Sequence, residues 1–148
     1  MGADREPVVR GARHRDPDRS GPGRSDRDWE RFDGASIGAY LGLVPSESSS
    51  GASRSQGSIT KTGNTHARRL LVETAWQHQR PLRAPSKALT ARRSLVSPAV
   101  RARAQAADRR LHQRWQSMQA RKKRSTVIAV AVARELAGWC WSLAVMTD

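Results

Sequence analysis

Cysteine, acidic residues and amino-terminal apolar residues are all scarce in this chain. The single cysteine, Cys140, lies inside an apolar run. No intramolecular disulfide can form, and a structural zinc site would lack its usual thiolates. A reducing compartment, the cytoplasm, is the expected location. Met1 to Arg27 contains no Leu, Ile or Phe, so it has no apolar core of signal-peptide length and export is not expected. The one long apolar stretch, Val127 to Met146, approaches bilayer length but carries Arg134 and Glu135 near its middle. Each would cost roughly 2.5 to 3.5 kcal/mol there. A buried helix is expected, and no membrane partner.

Acidic residues number 13 against 27 Lys and Arg, a net charge of +14 over 148 residues. That length bounds the chain to one domain of ordinary size. The 37% of apolar residues are unevenly placed, which excludes a large core. A cationic excess of this size points to a polyanionic partner, because each Lys or Arg that neutralises a phosphate releases a condensed counterion. Nucleic acid is the first candidate. The charge specifies no enzyme.

Composition divides the chain at Asp28. Before it, Arg, Asp, Gly and Pro nearly alternate, and residues 1–27 are expected to be a disordered basic leader with nothing to bury. GC-rich DNA read out of frame tends to give such composition, so the leader is also a candidate out-of-frame segment. From residue 28 to 148 we expect one mainly α domain, a small helical array around a serine- and glycine-rich central loop. Gly34-Ala-Ser36 can start a short helix that ends before Pro45. Ser46 to Gly63 holds no lasting period and reads as a long loop or short irregular strands. Asn64 or Thr65 can cap a second helix whose apolar side is Ala67, Leu70, Leu71, Thr74, Ala75 and His78, ended by Pro81 and Pro85. A basic linker leads to Pro98, which suits the first turn of a third helix. Val100, Ala104, Ala107, Leu111, Trp115 and Met118 form its stripe. The tract Arg121-Lys122-Lys123-Arg124 separates it from the last, apolar helix.

Between Arg80 and Arg134 the only acidic residue is Asp108. Arg103, Arg110, Arg114 and Arg121 fall in one narrow sector of a helix turning about 100° per residue, a ridge that can follow phosphates. Gly57-Ser-Ile-Thr-Lys61-Thr62 lacks the glycine spacing of a phosphate loop. Two readings stay open for the segment after it: Lys61, Gly63 and free helix amides hold a phosphate, or the turn is simply capped. The histidines, among them His66 and His78, are scattered and suit capping or packing more than metal binding. No carboxylate cluster suits Mg²⁺, whose oxygen ligands must converge from fixed elements. On spacing alone, Ser48-Ser49-Ser50-Gly51 reads as a flexible loop, although serine attacks a phosphodiester when cations stabilise the transition state.

Four segments together carry a resemblance: Tyr40-Leu-Gly-Leu-Val-Pro45-Ser-Glu47, Ser49-Ser50-Gly51, Gly57-Ser-Ile-Thr-Lys61-Thr-Gly-Asn64 and Arg68-Arg69-Leu-Leu-Val-Glu73-Thr-Ala75-Trp76. In this order they closely resemble the carboxy-terminal domain of the insertion-sequence one-ten (also one-sixteen and nine-oh-two) transposase family. Val130-Ala-Val-Ala-Arg134-Glu135-Leu-Ala-Gly138-Trp139 resembles the same family's terminal helix, so coverage runs from about Asp28 to Met146. The resemblance implies a two-part recombinase. An amino-terminal RuvC-like domain supplies four metal-binding acids, with Mg²⁺ expected there, and this domain supplies the catalytic serine. That serine falls on Ser50, with Ser49 the alternative, and would attack the DNA backbone to form a phosphoserine link. Arg54, Lys61, Arg68 and Arg69 become candidate phosphate contacts beside Arg103, Arg110, Arg114 and Arg121. Partners implied are DNA, in some members a structured guide RNA, and further copies in a full-length oligomer. Nothing here resembles the metal-binding domain, so no cofactor is expected in this chain and catalysis is expected to need that domain. Two other readings, a basic RNA-binding protein and a nonfunctional transposon remnant, need only the charge or the ancestry.

Overall fold

The computed structural model describes residues 28–50 and 53–146; the expected leader lies outside them. The chain is mainly α, as its periodicities require. A 3-10 turn, Asp28–Arg31, precedes α1 (Ser36–Tyr40), strands β1 (Pro45–Ser50) and β2 (Ser53–Ile59), α2 (Thr65–Ala75) and a second 3-10 turn, Trp76–Gln79. Helices α3 (Lys87–Ser94), α4 (Pro98–Ala120) and α5 (Ser125–Ala144) complete the order.

Helix α5 is the centre. It packs against α1, α2 and α4, burying Ile128, Ala129, Val132, Ala133 and Ala137. By length and composition it could cross a membrane; here its apolar face is the core of the helical array. From α4, Leu111 and Trp115 are fully buried and Met118 packs against them. Burial of each such large side chain contributes about 1.5–3 kcal/mol. Small residues let the turn before α1 approach α5 closely: a side chain at Gly138 would come within 2.8 Å of the Gly34 carbonyl.

The helix ends follow local chemistry. Asn64 Oδ1 accepts from the Ala67 amide at 3.0 Å, Ser86 Oγ from Leu89 at 3.2 Å and Ser97 Oγ from Val100 at 3.3 Å, each satisfying an amide with no partner inside its helix. Pro98 occupies the first turn of α4, where a missing N–H costs nothing. At the other end the Lys122 amide donates to Gln119 O at 2.8 Å and Lys123 to Met118 O at 3.2 Å, with Lys122 at φ 56°. This is a Schellman turn with lysine where glycine is usual.

Of the two readings of the serine-rich segment, short irregular strands are what forms: an antiparallel hairpin with a break in register, its pairing made by the backbone. One expectation changes. The basic linker contains α3, which has no buried residue and so left no apolar stripe to read.

Candidate nucleic-acid interface and serine hairpin

Strands β1 and β2 pair Pro45 with Ile59, then, after an irregularity, Glu47 with Gln56, Ser48 with Ser55, Ser49 with Arg54 and Ser50 with Ser53. Ser50 therefore occupies the last paired position, beside residues 51 and 52, and Ser49 stands opposite Arg54. At the base, Ser46 Oγ donates to the Ser58 carbonyl at 2.8 Å. Beneath it a cleft of about 380 Å³ is bounded by Pro45, Gly57 and Ile59 on one side and by Thr126, Val130 and Arg134 on the other.

The hairpin is rooted where two turns cross. Gly42 and Gly63 have φ of 68° and 74°, a region open to glycine at little steric cost. Each also lies too near the other turn for a side chain, Gly42 against the Thr62 backbone and Gly63 against the Tyr40 carbonyl. The Lys61 amide donates to Gly42 O at 3.1 Å and the Thr60 amide to Val44 O at 3.0 Å. Arg68 ties the crossing together. Its Nη1 donates to Leu41 O at 3.1 Å and to Thr62 O at 2.7 Å, and its Nη2 to Thr65 Oγ1 at 3.2 Å. It is 9% exposed, so its donors serve the fold. Asn64 caps α2 through the Ala67 amide and Gly63 is pressed on the Tyr40 carbonyl.

The other predicted cations are dispersed. Lys61 is exposed at the root of the hairpin with φ 57°. Arg69 pairs with Glu73 at 2.8 Å on the open side of α2. The α4 ridge adjoins the apolar stripe of its helix and so turns toward α5. The Arg103 guanidinium lies 4.4 Å from the Trp139 ring centroid, a cation–π contact, and its Nε donates to Ser142 Oγ at 3.2 Å. Glu135 clamps two more: Arg110 Nε is 2.8 Å from its Oε1 and Arg114 Nε 3.1 Å from its Oε2. Arg121 donates to Ser117 O at 3.2 Å and to Ser117 Oγ at 3.1 Å. Arg110 and Arg114 keep 53% and 38% of their side chains exposed, so the ridge is a seam with an open edge.

Sequence reasoning missed the clamp Glu135 and the pair Arg93–Asp108, 3.2 Å apart, which joins α3 to α4. The isolation of Asp108 among cations was the available signal. His112 Nδ1 lies 2.9 Å from His78 O, and burial pushes the His78 imidazole below its usual pKa. Asp33 accepts from the Ala35 and Ser36 amides at 2.9 and 2.6 Å; the Ser36 hydrogen bonds, chiefly the backbone one, hold its carboxyl below the usual range. Among the described residues the carboxylates of Asp33, Glu73, Asp108 and Glu135 serve four separate elements. They do not converge as a Mg²⁺ site requires.

Residues 27–91 match the model of the Transposase IS116/IS110/IS902 family. The chain is also 48% identical, over 105 residues, to a protein of Sinorhizobium fredii (strain NBRC 101917 / NGR234) named "Putative transposase y4qE". The match takes in 71% of this chain and 27% of that protein, so the chain spans little more than a quarter of its relative. No solved structure matches. The glycine crossing, the arginine that ties it and the hairpin rooted on it all lie within the residues matched to the family, and this chain belongs to the IS116/IS110/IS902 transposase family.

Proposed function

We propose that the chain is the serine-bearing domain of a DNA transposase, which binds DNA and acts on it only together with a metal-binding domain. The observation that carries this reading is the family match over a hairpin whose last paired residue is Ser50. A nucleophile needs a fixed frame, and Ser50 stands at the last paired position of a hairpin whose base is rooted on a buried crossing. Attack by Ser50 Oγ on a backbone phosphorus forms a phosphoserine ester and breaks one P–O bond. The released deoxyribose hydroxyl takes up a proton and can later reverse the step, so bond energy is conserved for rejoining. Ser49 is the alternative nucleophile, and Arg54, its cross-strand partner, is the nearest candidate in sequence register to neutralise phosphate charge. A structured guide RNA, which the family resemblance implies for some members, is a further partner. Acids on a separate domain would hold the metal, as the family resemblance implies.

The test mixes the full chain with Mg²⁺, end-labelled DNA carrying element ends and, separately, the metal-binding portion of a longer relative. Covalent protein–DNA adducts are expected only in the combined reaction and should vanish in Ser50→Ala. Adducts that persist in Ser50→Ala but vanish in Ser49→Ala move the nucleophile by one residue. Mg²⁺-dependent cleavage by the chain alone, lost in Ser50→Ala, overturns the dependence on a second domain.

A further inference from the structure

On α4, Arg103, Arg110 and Arg114 are engaged with α5 and Arg121 with Ser117 of its own helix; a second group of cations lies elsewhere. Around α3 and the opposite side of α4, Arg80, Arg83, Lys87, Arg92 and Arg109 are exposed and Arg101 half-buried. None has an ion pair or side-chain hydrogen bond among the described residues. Asp108, the one acid in this stretch, is paired with Arg93. Three contacts hold α3 and the 3-10 turn after α2 against α4: Arg93 to Asp108, the His78 carbonyl to His112 and the Gln79 carbonyl to Gln116. Arg101, Asp108 and Arg109 lie within about 100° of one another around α4, and Arg101 and Arg109 are about 12 Å apart along its axis.

Helix α3 itself is the second observation. Eight residues make a marginal helix in water, and this one buries none of them. It is held by the Ser86 cap and the single ion pair to α4. What it presents outward is positive charge.

We infer that the outer surface of α3 and α4, with Arg80, Arg83, Lys87, Arg92, Arg101 and Arg109, is where the phosphodiester backbone of duplex DNA docks. This rests on the reading of the chain as a DNA-binding domain and deepens it: the cations divide between those that build the seam with α5 and those that meet phosphate. The tract at Lys122, Lys123 and Arg124 is also exposed, but it occupies one turn, whereas a backbone running along α3 and α4 meets charges spread over two helices.

The experiment uses the full chain and a short labelled DNA duplex, with single-stranded DNA and an RNA hairpin as parallel arms, over a series of salt concentrations. One variant combines Arg83→Gln, Lys87→Gln, Arg92→Gln and Arg109→Gln; another combines Lys122→Gln, Lys123→Gln and Arg124→Gln. In the first, the slope of log affinity against log salt on duplex DNA should shrink by roughly three to four, about 0.9 for each phosphate no longer neutralised. The second should change it less. Circular dichroism establishes that helix is kept. If the combined variant loses helix, Arg83→Gln and Arg109→Gln alone should each lower the slope by about one. A parent that binds while the first variant binds equally well, or a larger loss in the second, overturns this surface and leaves the DNA-binding reading standing. A parent that binds none of the three nucleic acids overturns both. A parent whose binding to single-stranded DNA or the RNA hairpin, but not to duplex DNA, is weakened in the first variant overturns duplex DNA as the occupant.

Discussion

Arg68 and Arg92 are both arginines on short helices of one very basic chain, and the two regions they belong to are built in opposite ways. Around Arg68, two glycine turns cross at backbone contact and the guanidinium gives its donors to two carbonyls and a hydroxyl. Around Arg92, helix α3 buries nothing and the charge faces solvent. The first region uses a cationic side chain as a rigid hydrogen-bonding fork inside the fold; the second pairs Arg93 with Asp108 and leaves Lys87 and Arg92 without an ion pair among the described residues. A net charge of +14 is therefore not one surface, and only part of it is available to a polyanion.

Substitutions should separate the two regions, beginning with the buried one. Arg68→Ala leaves the Leu41 and Thr62 carbonyls without their donor and should cost about 3 kcal/mol of stability in chemical denaturation. Arg68→Lys should recover little of it, since an ammonium cannot reproduce the fork. Near-parental stability in Arg68→Ala would remove the distinction at its strong end. Glu135→Gln lies between the two regions. It should cost about 1 kcal/mol by releasing Arg110 and Arg114, and duplex DNA affinity should rise a few-fold in anisotropy titrations as those cations become free.

Solution pH should act through His78. Burial lowers its folded-state pKa below the ordinary value of 6.5, with Asp108 opposing and His112 assisting that shift. The unfolded chain then binds the proton more readily. The stabilising contribution is complete above about pH 6.5 and is lost as pH falls through the folded-state value. Denaturation midpoints at pH 7.5 and 5 should differ in that direction, and His78→Gln should narrow the gap. The smallest effect belongs to the open region: Arg92→Gln should leave stability within about 0.5 kcal/mol of the parent, while its salt-dependent DNA affinity drops. A large loss of stability there would mean that α3 is held by more than its cap and one ion pair.

Much of the helical core could be read from residue spacing, because burial imposes a period on it. The stripe through Ala107, Leu111 and Trp115, the Asn64 cap and the place of Pro98 all match. The hairpin and α3 were obscure for one shared reason: neither carries an apolar face, so one is made by backbone pairing and the other by a serine cap and an ion pair. The α4 ridge was legible as a sector, but its direction was not. Arginines bordering an apolar stripe can point to solvent or to a neighbouring helix, and the deciding residue, Glu135, lies 25 positions from Arg110 in sequence. Arg68 stands in the same motif as the exposed Arg69, and no local pattern separates the one that is buried. The motif order that resembles the transposase family is explained in part by the crossing it builds, through Gly42, Gly63 and Arg68. The chemistry of Ser50 rests on the proposal.

The binding of nucleic acid through phosphates is tested most directly by the dissociation constant of the full chain for a DNA duplex at two salt concentrations. Six phosphate contacts should weaken binding by about a thousandfold between roughly 50 and 200 mM salt. Equal constants at the two concentrations would contradict phosphate recognition, and with it the role assigned to the free cations of α3 and α4.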